Sequence, residues 1–324
     1  MSRRLLFVCY PDTNHPIGGV KQIYRQVELL NQAGLQAWVL QQEPGFRADW
    51  FTSSAPVLDL ASYLASPPSR EGDLIVLPET WLTQVPGYLA GIPKVIFNQN
   101  AFYTFGLEGR CEPTTLELYR HPDIVGVVTV SDDSRELLVR GCGVPAERCH
   151  TVLNGIDPAL FHAPEIKVRR IVYMGRKQAD HIRKVALMAS QRPGLNRYPF
   201  RELGRLSHGE VAQELREALV FLSGGHPEGF GLPLAEALAC GCLVVGYHGL
   251  GGRDFALPYL RAVEFGDLLG FVDALEAEVQ RFEADPAGVG AERLGASAAI
   301  LARYSPAAER ERALAVWGTL ATDR

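Results

Sequence analysis

Short runs of β-branched and aromatic residues recur along this chain at intervals that leave room for one helix or loop between them, and few folds accommodate that rhythm. The runs at 5–10, 36–40, 73–77, 94–98 and 124–130 read as strands, and their spacing is that of a parallel sheet with crossover connections. Between the first two, Val20, Ile23, Tyr24, Val27 and Leu30 recur at helical spacing, and Gly34 supplies a stop. The expected unit is strand, glycine loop, helix, strand. The pattern restarts at 170–174, 218–222, 243–247 and, more weakly, 262–265, with helices expected at 181–190, 208–217, 232–240 and 267–283. A second α/β domain follows from that restart. Proline, charge and lost periodicity coincide at 158–168, which places the boundary there and gives domains of 1–165 and 166–305. The final stretch, 306–324, reads as a helix opened by Ser305 as N-cap and Pro306 at the first turn, packing back toward the N-terminal domain.

The length of 324 residues suits two domains of ordinary size, each with its own core. Thirty-two Lys and Arg against 37 Asp and Glu leave a formal charge of -5, so there is no cationic field to hold a phosphate polymer and nucleic acid is excluded as a partner. Residues 1–165 hold 12 basic and 18 acidic side chains, which disfavours an anionic lipid surface. The apolar run at 5–10 is far shorter than the roughly 20 residues that cross a bilayer, so no membrane span is expected. Six cysteines without a CxxC pair read as reduced thiols in a cytoplasmic protein.

The segment richest in chemistry is 226–236, HPEGFGLPLAE, which follows an expected strand and leads into an expected helix. Gly229 and Gly231 permit a sharp turn, and Pro233 fits a first helical turn because its missing N–H would be unpaired there anyway. The amides of Phe230, Gly231 and Leu232 are then free to face an anion, and a helix N-terminus favours one, so a diphosphate is the natural guest. Glu228 precedes the turn and Glu236 lies inside the helix. A carboxylate only accepts hydrogen bonds, which suits vicinal hydroxyls: Glu236 for a ribose diol, Glu228 for a transferred sugar.

The run EGFGLPLAEALACGCLVV resembles the Glu-x7-Glu signature of retaining glycosyltransferases with the GT-B fold, the glycosyltransferase family 4 and glycogen synthase group. IGGV at 17–20, VSDDSRELL at 130–138, GVPAER at 143–148 with LNGID at 153–157, and YMGR at 173–176 resemble other segments of that group in order and spacing. The resemblance implies two facing Rossmann-like domains with an interdomain cleft, a nucleotide-sugar donor on the C-terminal domain, an acceptor of unknown identity on the N-terminal one, and anomeric retention. It makes Arg176 and a following lysine the clamp on the donor diphosphate. Lys184 is the chosen lysine, with Lys177 and Arg183 as alternatives. Gly18 and Gly19 would approach the donor phosphate or the acceptor, and Leu206 aligns with the stretch whose backbone meets the nucleobase.

Where the group places a histidine to meet the donor sugar, this chain has Asn98-Gln-Asn100, with His15 and His121 as candidates only by proximity. Asn100 can hydrogen-bond a hydroxyl but cannot act as a base, so catalysis is expected from Glu228, Arg176, Lys184 and Asn100 with the departing phosphate taking the acceptor proton. The region 185–206 lacks a clear strand and helix pair, which implies a trimmed C-terminal domain. No Asp-x-Asp occurs, so no metal is implied, and Cys240-Gly-Cys242 without a histidine partner reads as buried packing. The GLGGRD run at 249–254 reads equally as a donor contact or a plain loop. No cofactor is expected; the nucleotide-diphosphate sugar is the substrate. The alternatives are a nucleotide-sugar-binding protein without transfer activity and a sugar-nucleotide epimerase of the same fold.

Overall fold

A computed structural model describes residues 2–14, 17–106 and 113–322. The chain divides into two compact units, Met1–Asn154 with Glu309–Arg324, and Gly155–Ala308. The chain first passes between units at Asn154–Gly155, ahead of the proline- and charge-rich stretch at 158–168.

Unit 1 is a seven-stranded parallel sheet. Strand β1 (Arg4–Val8) leads through helix α1 (Gly18–Gln32) to β2 (Ala37–Gln41), then β3 (Val57–Asp59), α2 (Leu60–Leu64), β4 (Asp73–Pro78) and β5 (Lys94–Asn98). After α3 (Pro113–Glu117) come β6 (Ile124–Thr129), α4 (Asp132–Glu136) and β7 (Cys149–Thr151). The order across the sheet is β3-β2-β1-β4-β5-β6-β7, the doubly wound arrangement whose strand order reverses between β1 and β4. Alternation is absent from β4 and β5, which are buried along their whole length, because a parallel sheet covered on both faces has no wet side. The apolar stripe anticipated for α1 is buried at Val20, Ile23, Tyr24, Val27 and Leu30.

Unit 2 is a five-stranded sheet built from β8 (Val168–Tyr173), α5 (Ala179–Ser190), β9 (Phe200–Glu202), α6 (His208–Glu217) and β10 (Ala218–Ser223). It continues with α7 (Leu232–Ala239), β11 (Leu243–Gly246), α8 (Arg253–Ala256), β12 (Leu260–Ala262), α9 (Leu268–Ala284) and α10 (Pro286–Arg303). The order is β12-β11-β10-β8-β9, with parallel pairing throughout. The stretch expected to lack a strand supplies the three-residue β9, paired with the exit end of β8. Helix α10 has no counterpart in the sequence reading. Asp285 starts it by accepting the Gly288 amide at 2.8 Å, with Pro286 at the first turn.

The last helix, α11 (Pro306–Thr322), is capped by Ser305, whose hydroxyl accepts the Ala308 amide at 3.2 Å. From Glu309 onward it belongs to unit 1. There Trp317 is fully buried against Phe7 and Phe97, at ring distances of 4.9 and 5.8 Å, and its indole N–H donates to Gln26 at 2.9 Å. Glu309, also fully buried, receives Arg25 through two guanidinium nitrogens.

Candidate functional site

In open parallel sheets the loops at the carboxyl ends of the strands gather where the strand order reverses, and that is where ligands sit. In unit 2 the reversal lies between β8 and β10. The loops there are 174–178, carrying Arg176 and Lys177, and 224–231, carrying Glu228 and the two glycines of the turn.

The second loop is held by three neighbours. Lys177 donates to the Pro227 carbonyl at 2.9 Å and to Glu228 Oε2 at 2.7 Å, and Gln178 donates to the His226 carbonyl at 3.0 Å. The glycine-rich 249–252 segment supplies the third support: Glu228 N–H donates to the Gly249 carbonyl at 2.7 Å, and Gly251 N–H returns to the Glu228 carbonyl at 3.1 Å. Glycine is required on that side. A Cβ on Gly251 would lie 2.1 Å from the Gly229 carbonyl oxygen, well inside contact. The 249–254 run is therefore a brace for the Glu228 loop.

At the end of this loop Gly231 adopts φ +91°, ψ +56°, the left-handed region that costs other residues about 1–2 kcal/mol. Its carbonyl accepts the Leu234 and Ala235 amides at 3.0 and 3.1 Å, which closes the first turn of α7. Among the described residues no acceptor is paired with the amides of Phe230, Gly231 or Leu232. The Phe230 side chain turns inward, against Phe255 and Tyr304 at 5.0 and 5.1 Å, so only its backbone is offered.

Helix α7 buries Leu234 through Ala239 in succession, with Glu236 only 9% exposed. A carboxylate in such a helix is not an ordinary surface charge, since taking an ion from water is costly unless it is partnered. The structure supplies His208, at the first turn of α6, whose Nε2 lies 3.2 Å from Glu236 Oε1. The His208 ring packs edge-on to Phe161 at 5.0 Å. Sequence inspection missed His208 because its partner stands 28 positions away, and it carries no motif. Nearby, burial, followed by the His248 and Lys177 charges, pushes His226 below its ordinary value, and its ring stacks on Phe265 at 4.1 Å.

Of the other residues singled out in the sequence, Arg176 is exposed in the loop after β8 and has no carboxylate partner among the described residues. Lys184 is elsewhere: it pairs with Asp180 at 2.6 Å on the exposed surface of α5. Lys177 is the lysine that reaches the loop, because left-handed Gln178 (φ +50°) separates it from the start of α5. Arg183 is spent on Glu202, at 2.6 and 2.9 Å. Leu206 precedes Ser207, the N-cap of α6.

Gly18 and Gly19 open α1 in unit 1, with Gln99 Nε2 donating to the Gly19 carbonyl at 3.1 Å. Asn100 is buried, and its Oδ1 accepts the Phe102 amide at 3.2 Å as a helix cap. His121 Nδ1 accepts the Asp123 amide at 3.2 Å, and His15 lies outside the described residues. Cys240 and Cys242 are buried, and desolvation raises both thiols. Among the described residues no group of three or more His, Cys, Asp or Glu is arranged to hold a metal ion. No described helix is long and apolar enough to cross a membrane.

Residues 199–285, which include the loop and α7, match the family model for glycosyl transferases group 1. No curated protein matches the chain in sequence. Solved structures do match in fold. Sucrose-phosphate synthase from Thermosynechococcus elongatus superposes with a TM-score of 0.74 at 16% identity, over 98% of this chain and 99% of that one. Anabaena HepE in complex with UDP-glucose gives 0.71 at 16%, over 98% and 99%. WaaG, a glycosyltransferase involved in lipopolysaccharide biosynthesis, gives 0.62 at 12%, over 99% and 100%. The two parallel-sheet units are thus those of the GT-B fold.

Proposed function

We propose that this chain transfers a sugar from a nucleoside-diphosphate sugar to an acceptor, with anomeric retention and without a metal ion, and that the donor is held by unit 2. One observation carries the reading: three amides at the head of α7 with no acceptor among the described residues, set between a half-buried carboxylate and a buried one. The amides and the positive end of the helix suit the diphosphate. Glu236, backed by His208, accepts from the ribose diol, and Glu228 accepts from hydroxyls of the transferred sugar.

Lys177 and Arg176 are the cations assigned to the diphosphate, with Lys177 in the role first given to Lys184. Their value is greatest in the transition state, where the bond from the anomeric carbon to the phosphate oxygen breaks and charge builds on the departing group. Asn100 is neither basic nor free of its capping bond, so the departing phosphate takes the proton from the acceptor hydroxyl as the new glycosidic bond forms on the same face. Because the two side chains supply the positive charge, a chelator should leave the rate unchanged. HepE was solved with UDP-glucose, which makes a uridine diphosphate sugar the first donor to try.

The experiment is a pair of variants. Glu228→Gln should lower turnover about 100-fold or more while nucleoside diphosphate affinity stays within about twofold. Glu236→Ala should weaken nucleoside diphosphate binding about tenfold or more, the cost of losing hydrogen bonds to a charged acceptor. Unchanged turnover in the first variant, or unchanged affinity in the second, refutes the corresponding role.

A further inference from the structure

We infer that His208 is a positioning residue for the nucleotide: it sets the rotation of the Glu236 carboxylate, so that the site requires both hydroxyls of a ribose. This rests on the donor reading above and narrows the donor to a ribonucleoside diphosphate sugar, against donors of the thymidine type, whose sugar lacks the 2′-hydroxyl.

Glu236 lies just over one turn into α7, about 6 Å along the axis from Leu232. A ribose is joined directly to its diphosphate, so a carboxylate at that depth is near the diol of a nucleotide held by the leading amides. Glu236 is 9% exposed, and among the described residues its carboxylate has one hydrogen-bond partner, His208 Nε2, which stands 3.2 Å from Oε1. A carboxylate only accepts, so Nε2 carries the proton, in the imidazolium or in one neutral tautomer. The terminal torsion of a glutamate is broad, and an unheld carboxylate can meet a single hydroxyl in many orientations. Pinned at Oε1, it presents its remaining acceptor positions in one plane, which matches two vicinal O–H donors.

His208 is itself held without a ligand. It is the first residue of α6, whose start is closed by a capping box: Ser207 Oγ accepts the Glu210 amide at 3.3 Å, and Glu210 Oε2 accepts the Ser207 amide at 2.7 Å. Its ring lies edge-on to the buried Phe161. Arg216, from the last turn of α6, ties down the segment before Phe161 by donating to the Leu160 carbonyl at 3.3 Å. A cap, an aromatic wall and a guanidinium tie thus fix the ring, and the ring fixes the carboxylate. The His208 side chain is still 37% exposed, so the pair borders solvent, where a nucleoside can reach it.

The test is calorimetric titration of the full chain with uridine diphosphate and 2′-deoxyuridine diphosphate, which share base and charge. The parent should prefer the ribonucleotide about tenfold or more, because a deoxyribose leaves an acceptor position of a nearly buried charge without its donor. His208→Leu keeps an apolar contact for Phe161 and removes the N–H. It should weaken uridine diphosphate by nearly the whole parental preference and leave the deoxy form within about twofold. His208→Gln, whose amide nitrogen stands near the Nε2 position, should restore the preference to within about threefold of the parent. That restoration, in proteins that melt within a few degrees of one another, is what a merely structural role would not give. A preference that survives in His208→Leu, or one lost in both variants, overturns the positioning role alone. A parent that binds neither diphosphate, or binds both alike, fails the donor reading and the positioning role together.

Discussion

Lys177 and Lys184 are seven positions apart, yet their surroundings assign them different work. Lys177 bonds the Pro227 carbonyl and Glu228 across the carboxyl edge of the sheet, while Lys184 makes a surface pair with Asp180 of the kind worth at most about 1 kcal/mol. Lys177→Ala should cut turnover about 100-fold by removing both a charge and a loop support. Lys184→Ala should stay within about twofold in the same assay; the reverse ranking would contradict the placement. Spacing alone could not separate them, because the left-handed turn at Gln178 that frees Lys177 from the helix has no sequence signature: glutamine seldom adopts it. Glu228 and Glu236 were legible, since a glycine turn with a proline at the helix start is a local pattern. His208 was not, because the contact with Glu236 exists only after α6 and α7 pack.

The elements that could be read were those whose periodicity is long or whose apolar run is unbroken, such as α1, β4, β5 and β10. Strands β3, β7 and β9 have three residues each, too few for alternation to declare itself, and their existence depends on a neighbour to pair with. Helix α10 hid because its alanines and glycines give little contrast between faces. The brace at 249–252 belongs to the same class: its glycines mark a loop, but the bridge from Leu250 to Glu228 is visible only in three dimensions. Gly251→Ala tests that brace. A methyl group cannot fit 2.1 Å from the Gly229 oxygen, so the loop must shift; donor KM and turnover should both suffer, by about tenfold or more, with thermal stability lowered by a few degrees. Kinetics like those of the parent would show that the brace does not position Glu228.

At the scale of the whole molecule, two parallel-sheet units and a final helix that returns to the first unit account for all the described residues. The doubling of the βα pattern was plain in the sequence, and so was the terminal helix with its Ser305 cap. The partners of that helix were not, because Trp317 meets Phe7, Gln26 and Phe97 from the far end of the chain. Trp317→Ala should destabilise unit 1 by about 3–5 kcal/mol, read as a lowered denaturant midpoint, and a shift below about 1 kcal/mol would mean that the helix contributes little to that core. Under the proposed function the amides heading α7 in unit 2 receive a diphosphate. The most direct measurement is the amide NMR spectrum of the isotope-labelled protein during titration with uridine diphosphate. The Phe230, Gly231 and Leu232 amide signals should shift together and saturate along one binding curve, and binding that leaves those three signals in place would contradict diphosphate capture at this helix end.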